Sequence, residues 1–323
     1  GNGTSEQLGN RERASGPIRR IPLAIYTDCR MLLDLANMPD GTAVEADVCV
    51  IGAGATGIAV ALDFIGSGRT VLLLESGGLR SEVETQRLNT SEVVGLRHTG
   101  VHAARARVFG GTTTMWGGQS ARFEESDFMS RSWVPYSDWP ISLAELSPYY
   151  DRAEQVMSVA GHPSYEDLCA AFGSEPPAFD PQLLTVTCSQ WSTNPNFATA
   201  YGKKLREATD VTVILHANVV ELVPEANAAA VGRVEFRTLH GVRATAHARI
   251  YVICCGAIES SRLLAASNRV HPLGLGNDYD LVGRFFQEHL HIDYGRVIPA
   301  NVAAVHDLFE GFFWRGRKQT PKL

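Results

Sequence analysis

The sequence predicts an α/β protein built on a parallel sheet, and three observations carry that prediction. The run Ala46 to Ile51 is short and almost wholly apolar, as a strand buried on both faces should be. It ends in Gly52-Ala53-Gly54-Ala55-Thr56-Gly57 and passes into Ile58 to Leu62, apolar residues with no proline to stop a helix. Gly66-Ser67-Gly68 closes that helix, and Thr70 to Leu74 reads as a second strand with Glu75 at its end. Together they make one Rossmann-type βαβ unit of about thirty residues.

Each position in the unit has a physical reason. Gly52 permits the tight turn, Gly54 lets a pyrophosphate approach the backbone, and Gly57 lets helix and strand pack closely. The helix N-terminus at Ala55 and Thr56 offers free N–H groups and the positive end of the helix dipole. Glu75, eighteen residues after Gly57, sits where a carboxylate accepts both hydroxyls of a ribose. Ser76-Gly77-Gly78 is a turn able to pass close to that ribose. A dinucleotide is the expected ligand; the motif leaves FAD and NAD open, and Glu75 disfavours NADP.

Composition narrows the class. The 323 residues are 45% hydrophobic with 30 glycines, enough for two domains or one large domain with an insertion. Net charge is −6 and no basic run exceeds Arg19-Arg20, which argues against nucleic acid as a partner. The longest apolar segments are strand-length, short of the ~20 residues that span a bilayer, so no membrane span is expected. The N-terminus lacks the apolar core of a signal peptide. Six cysteines show no C-x-x-C spacing; Cys49, Cys254 and Cys255 read as small hydrophobes inside buried strands. Reduced thiols in a cytoplasmic protein follow.

Residues 1–29 are polar and aperiodic and read as a flexible extension. Met31 to Met38 leads as a short helix or strand into the turn Pro39-Asp40-Gly41. Residues 79–100 read as a surface excursion. Arg105 to Gly118 is dense in glycine and threonine, with two arginines and Trp116, and offers backbone donors and hydroxyls to a flat polar ligand or a pyrophosphate. Ser142 and Glu145 make a capping box, and Tyr149, Tyr150, Ala153, Val156 and Met157 give a helical stripe expected to pack on the core. Residues 161–190 read as an insertion or lid. Ala200 to Ala208 reads as a helix and Val211 to Leu215 as a strand. A hairpin is expected from Val234 to Leu239 and Ala244 to Val252 around His240-Gly241.

Five stretches in this order resemble the glucose–methanol–choline (GMC) flavoprotein oxidoreductases, in the branch that resembles pyranose oxidase. They are Gly52 to Gly57; Glu75 to Gly78; Gly110-Gly111-Thr112-Thr113 before Trp116-Gly117-Gly118; and Tyr251 to Leu264 with Gly283 to His291. The resemblance implies FAD and the oxidation of a sugar or other alcohol by hydride transfer to flavin N5. It implies cofactor contacts from Arg105, Arg107, Gly110 to Thr113, Met115 to Gly118, Cys255, Gly256 and His289, and adenine contacts from the backbone of Val219 or Val220. Met115 stands where some resembling sugar oxidases carry a histidine bonded to the flavin, so the FAD is expected to be non-covalent. Trp191 to Pro195 departs from the usual, more basic family segment.

The resemblance also implies a domain plan. Residues 30–130 and 191–291 form a discontinuous FAD-binding domain, 131–190 an insertion with substrate-domain elements, and 292–323 the start of an incomplete substrate-binding domain. The family's catalytic histidine lies near the C-terminus, and nothing after residue 291 matches it. The general base is therefore expected beyond residue 323 or on a second polypeptide, with His289 and His291 the candidates inside the chain. Those two histidines share a strand face without a third ligand at a convincing spacing, so no metal is expected. A non-oxidative FAD-binding subunit or a lyase on the same scaffold is the alternative.

Overall fold

The computed structural model describes residues 20–22, 32–96, 98, 101–159, 164–173, 175, 180, 182, 186–225, 229–288, 298, 300–303, 312–314 and 317–322. From the N-terminus, β1 (Arg20–Pro22) and β2 (Leu32–Asp34) precede β3 (Thr42–Ile51), α1 (Ala55–Phe64) and β4 (Val71–Leu74). Then come α2 (Val83–Gln86), β5 (Gln119–Ser120), α3 (Glu125–Phe128), α4 (Leu143–Met157), α5 (Tyr165–Phe172) and β6 (Thr187–Trp191). The chain continues through α6 (Phe197–Glu207), β7 (Val211–Leu215), β8 (Asn218–Pro224), β9 (Val231–Arg237), β10 (Arg243–Ile253) and α7 (Gly256–Ala266). Two strands, β11 (Phe312–Trp314) and β12 (Arg317–Lys322), follow.

The larger sheet runs β2-β7-β4-β3-β10-β9-β8, with β1 beside the first half of β3. From β2 to β10 the neighbours are parallel, and β9 is antiparallel to both β10 and β8. Every residue of β4 and β7 is buried, because helices cover both faces of the sheet. On one face Ile58 and Ala61 of α1 and Phe197 and Leu205 of α6 pack over β3, β4 and β7. On the other, Leu263 of α7 packs with Leu72, Ile214, Leu222 and Phe236. The architecture is therefore mixed α/β with a Rossmann-type, largely parallel sheet. A second, antiparallel sheet runs β11-β12-β6-β5. None of the described helices is long and apolar enough to cross a membrane.

Most local expectations hold. The βαβ unit, α6, β7 and the β9–β10 hairpin stand where the sequence put them, and Ser142 and Glu145 form their capping box. Four expectations change. Arg20–Pro22, read as part of a flexible extension, lie beside Ala43–Glu45, where β4 leaves β3 without a partner on that side. The excursion after residue 79 buries Thr85 and Asn89 and is not purely superficial. In α4, Val156 and Met157 reach the core, but Tyr149 is exposed, and the Tyr150 hydroxyl accepts the Phe123 N–H at 2.9 Å. Cys254 and Cys255 fall beyond β10, at the start of α7, because Cys255 at φ −85° and ψ 6° has left the extended backbone and stands as the α7 N-cap.

Leu72 is fully buried in β4 at the centre of the sheet. Leu72→Ala is expected to lower unfolding stability by ~2–5 kcal/mol, seen as a lower urea midpoint with an unchanged slope.

Candidate functional site

A cavity of about 950 Å³ opens at the C-terminal ends of β3, β4 and β10. The chain continues from β3 to β4 on one side and returns as β10 on the other, so the cavity sits where the strand order reverses. Its volume is at the upper end of the ~300–1,000 Å³ typical of ligand sites.

The floor is the turn into α1. Gly52 takes φ +100°, and its N–H donates to the Leu74 carbonyl at 2.8 Å. A Cβ at Gly57 would stand 1.8 Å from the Gly52 carbonyl oxygen, so only glycine lets α1 pack this close to the turn. No side chain caps α1, whose first residues line the cavity. The glycine-rich loop lies directly on this turn. The Gly110 N–H donates to the Ala53 carbonyl at 2.8 Å, and a Cβ on Gly111 would come within 2.7 Å of the Gly54 Cα.

That loop has its own seat. The Thr113 hydroxyl donates to the Gly110 carbonyl at 2.6 Å and accepts the Phe197 N–H at 3.0 Å. The Trp116 indole donates to the Pro195 carbonyl at 2.8 Å, and the Ser192 N–H donates to the Gly118 carbonyl at 2.9 Å. The stretch Trp191 to Pro195, which departs from the family pattern, is thus what holds the loop.

Glu75 is 4% exposed. Its Oε2 accepts the Ala53 N–H at 2.9 Å and its Oε1 the Gly77 N–H at 2.9 Å. Burial pushes its carboxyl up to about 7; the Gly77 and Ala53 N–H groups, the Arg107 charge and the Ser76 hydroxyl pull the other way. The turn after Glu75 is braced by a group the sequence reading missed. His216, at φ +54°, sets Nδ1 2.9 Å from Asp34 Oδ2 and Nε2 3.1 Å from Glu82 Oε2. Only an imidazolium donates from both nitrogens, and the two carboxylates raise the His216 pKa against the opposing effect of burial. The His216 backbone N–H donates to the Gly77 carbonyl at 3.1 Å.

Arg105 and Arg107 also face the cavity, paired at 2.9 Å and 2.8 Å with Glu259 on the first turn of α7. Burial would raise the Glu259 carboxyl, but hydrogen bonds from Arg262, Arg105 and Arg107 hold it at about 2. Sequence reasoning missed Glu259, as well as Asn218 and the wall formed by Arg237, Thr238 and Leu239. A carboxylate one turn into a helix after Gly-Ala was the available signal for Glu259.

The cavity brings together Gly52, Gly54, Ala55, Thr56, Glu75, Ser76, Arg105, Arg107, Gly111, Thr112, Thr113, Trp116, Val219, Val220, Cys255 and Gly256. Gly57, Gly110, Gly117 and Gly118 are not in its lining. Gly57 and Gly110 support it, while Gly117 and Gly118 pack on Trp191 and on Ser192 and Pro195. Met115 is also outside the lining, with 57% of its surface exposed. His289 and His291 lie outside the described residues. No histidine is among the described residues that line the cavity.

A family profile described as FAD dependent oxidoreductase matches residues 47–305. Among curated proteins, 2-methyl-1,2-propanediol dehydrogenase of Mycolicibacterium austroafricanum is 27% identical over 310 residues, covering 77% of this chain and 56% of that protein. Paromamine 6'-oxidase of Streptomyces fradiae is 28% identical over 314 residues, covering 80% of this chain and 56% of that protein. The chain spans about half the length of the curated relatives it matches. Among solved structures, pyridoxine 4-oxidase from Mesorbium loti is similar at TM-score 0.44 and 20% identity, over 68% of this chain and 51% of that one.

The raised carboxyl of Glu75 fixes the sign of a pH effect. The folded protein keeps the Glu75 proton up to about 7, whereas the unfolded chain releases it in the ordinary carboxylate range. Its contribution to stability is present at low pH and is lost as pH rises to about 7. In ligand-free protein, urea unfolding between about pH 4 and pH 8 should show the stability of the parent falling relative to Glu75→Gln across that window.

Proposed function

The chain belongs to the FAD-dependent oxidoreductase family, and from that premise we propose a GMC-type oxidoreductase that oxidises a sugar or other small alcohol at a C–H bond. The observation that carries the reading is the crevice itself. A glycine turn, an uncapped helix N-terminus and a second glycine loop meet with Glu75 at a strand-order reversal. The geometry fits the group: at Gly111, where a side chain would strike Gly54, the cradle is backbone on both sides.

In this reading Ala55, Thr56, Gly111 and Thr112 hold the diphosphate through N–H groups, and Glu75 takes the adenosine ribose. The backbone of Val219 and Val220 borders the adenine, and Trp116 packs beside the flavin and excludes water. When bound, FAD supplies the hydride acceptor at N5. The two carboxylates of the cavity are both engaged, Glu75 by backbone N–H groups and Glu259 by arginines. The hydroxyl proton is therefore taken by a base from outside the described residues, His289, His291 or a segment beyond residue 323. The propanediol dehydrogenase and the paromamine oxidase among the relatives support a small hydroxylated substrate. The nucleotide domain comprises residues 30–130 and 191–291, and the substrate domain 131–190 and 292–323.

Anaerobic addition of a panel of sugars and diols to the purified full-length protein should bleach the flavin band. A flavin that no alcohol bleaches would favour the non-oxidative FAD-binding or lyase alternative. The FAD is held non-covalently, so acid precipitation should leave all yellow colour in the supernatant; a yellow pellet would contradict this. Gly111→Val should yield protein without flavin, and a normal flavin spectrum from that variant would argue against the cradle.

A further inference from the structure

We infer that Glu259 is a positioning residue that presents Arg105 and Arg107 to the diphosphate of the cofactor; the inference rests on the FAD reading above. Three guanidinium groups converge on this one carboxylate. Arg105 Nη1 lies 2.9 Å from Oε1, Arg107 Nη2 lies 2.8 Å from Oε2, and Arg262 Nε lies 2.7 Å from Oε2. The Glu259 side chain is only 11% exposed, so its charge is weakly screened.

The remaining partners of the two loop arginines are neutral. Arg105 donates from Nε to the Val101 carbonyl at 2.6 Å and from Nη2 to the Asn89 carbonyl at 3.3 Å. Arg107 donates from Nε to Asn89 Oδ1 at 2.8 Å and from Nη1 to the Ser76 hydroxyl at 3.4 Å. One carboxylate thus serves three cations, and even with Glu75, which feels the Arg107 charge, three cations face two carboxyl groups. Arg105, Arg107 and Arg262 all line the cavity, which also receives the N-terminus of α1.

Surplus charge of one sign beside a cavity favours an anion of the other sign inside it. A diphosphate carries the matching charge and accepts the planar N–H fork of arginine. Glu259 lets two like charges sit side by side on one loop. Without it they repel, and the fork loses its fixed orientation.

The experiment compares flavin-free preparations of the full chain, as the parent, Glu259→Gln and Glu259→Asp. Each is titrated with FAD, ADP and adenosine by calorimetry. The parent should bind ADP more tightly than adenosine. Glu259→Gln should weaken FAD and ADP by about tenfold, the loss of roughly one charge-assisted contact, and leave adenosine nearly unchanged. Glu259→Asp should lose less, in the same selective pattern, and it decides the matter if the glutamine variant does not fold. ADP binding that is unchanged or tighter in the variants would overturn the inference, as would equal losses for ADP and adenosine. A parent chain that takes up neither FAD nor ADP would instead overturn the FAD reading itself.

Discussion

The cavity depends on one buried carboxylate. Glu75 ends β4, and its two oxygens tie down the Ala53 N–H of the first glycine turn and the Gly77 N–H of the next turn. Its own backbone is equally committed. The Glu75 N–H donates to the Ile214 carbonyl at 2.9 Å, and its carbonyl accepts the Ala217 N–H at 2.8 Å. One residue therefore fixes the ends of β3, β4 and β7 relative to one another. A carboxyl group that satisfies two buried N–H groups, one on each oxygen, is hard to replace, because losing it leaves both donors unpaired. His216, clamped between Asp34 and Glu82, braces the same turn from behind.

Around that point the cavity is made by backbones meeting backbones. The first turn touches the glycine-rich loop at Gly54 and Gly111, and it touches α1 at Gly52 and Gly57. Close approach of this kind leaves carbonyls and N–H groups, not side chains, at the surface of the crevice. Side chains then set the charge: arginines gather at Glu259, and Glu75 provides the other carboxylate.

The fold was legible where its cause is local. Periodicity, turn glycines and the capping box at Ser142 and Glu145 each act within a few residues, and the βαβ unit, α6 and the β9–β10 hairpin followed from them. The glycine-rich loop was legible as a site because tryptophan and glycine are costly together without something to pack on. What stayed hidden depends on partners far along the chain. Glu259 meets Arg105 across 154 residues, and His216 meets Asp34 across 182. No spacing announces such pairs. Cys254 and Cys255 were assigned to a strand by their apolar run. The strand ends because Cys255 leaves extended backbone to cap α7 and Gly256 takes φ +75°, a change of backbone that the apolar run does not announce.

The place of β10 has a consequence for how the chain acquires its shape. Val48 pairs with Ile250, so one edge of the central strand β3 waits for a partner made about two hundred residues later. Until β10 arrives, that edge presents an unpaired ladder of N–H and carbonyl groups on apolar sequence, a template for adding strands from other chains. Parallel pairing across such a separation is slow, because loop closure must come before any contact rewards it. On the ribosome the βαβ unit of β3, α1 and β4 emerges early yet stays open on both sides, β4 waiting for β7 and β3 for β10. The crevice, which needs Cys254 to Gly256 as its far wall, is among the last features to form.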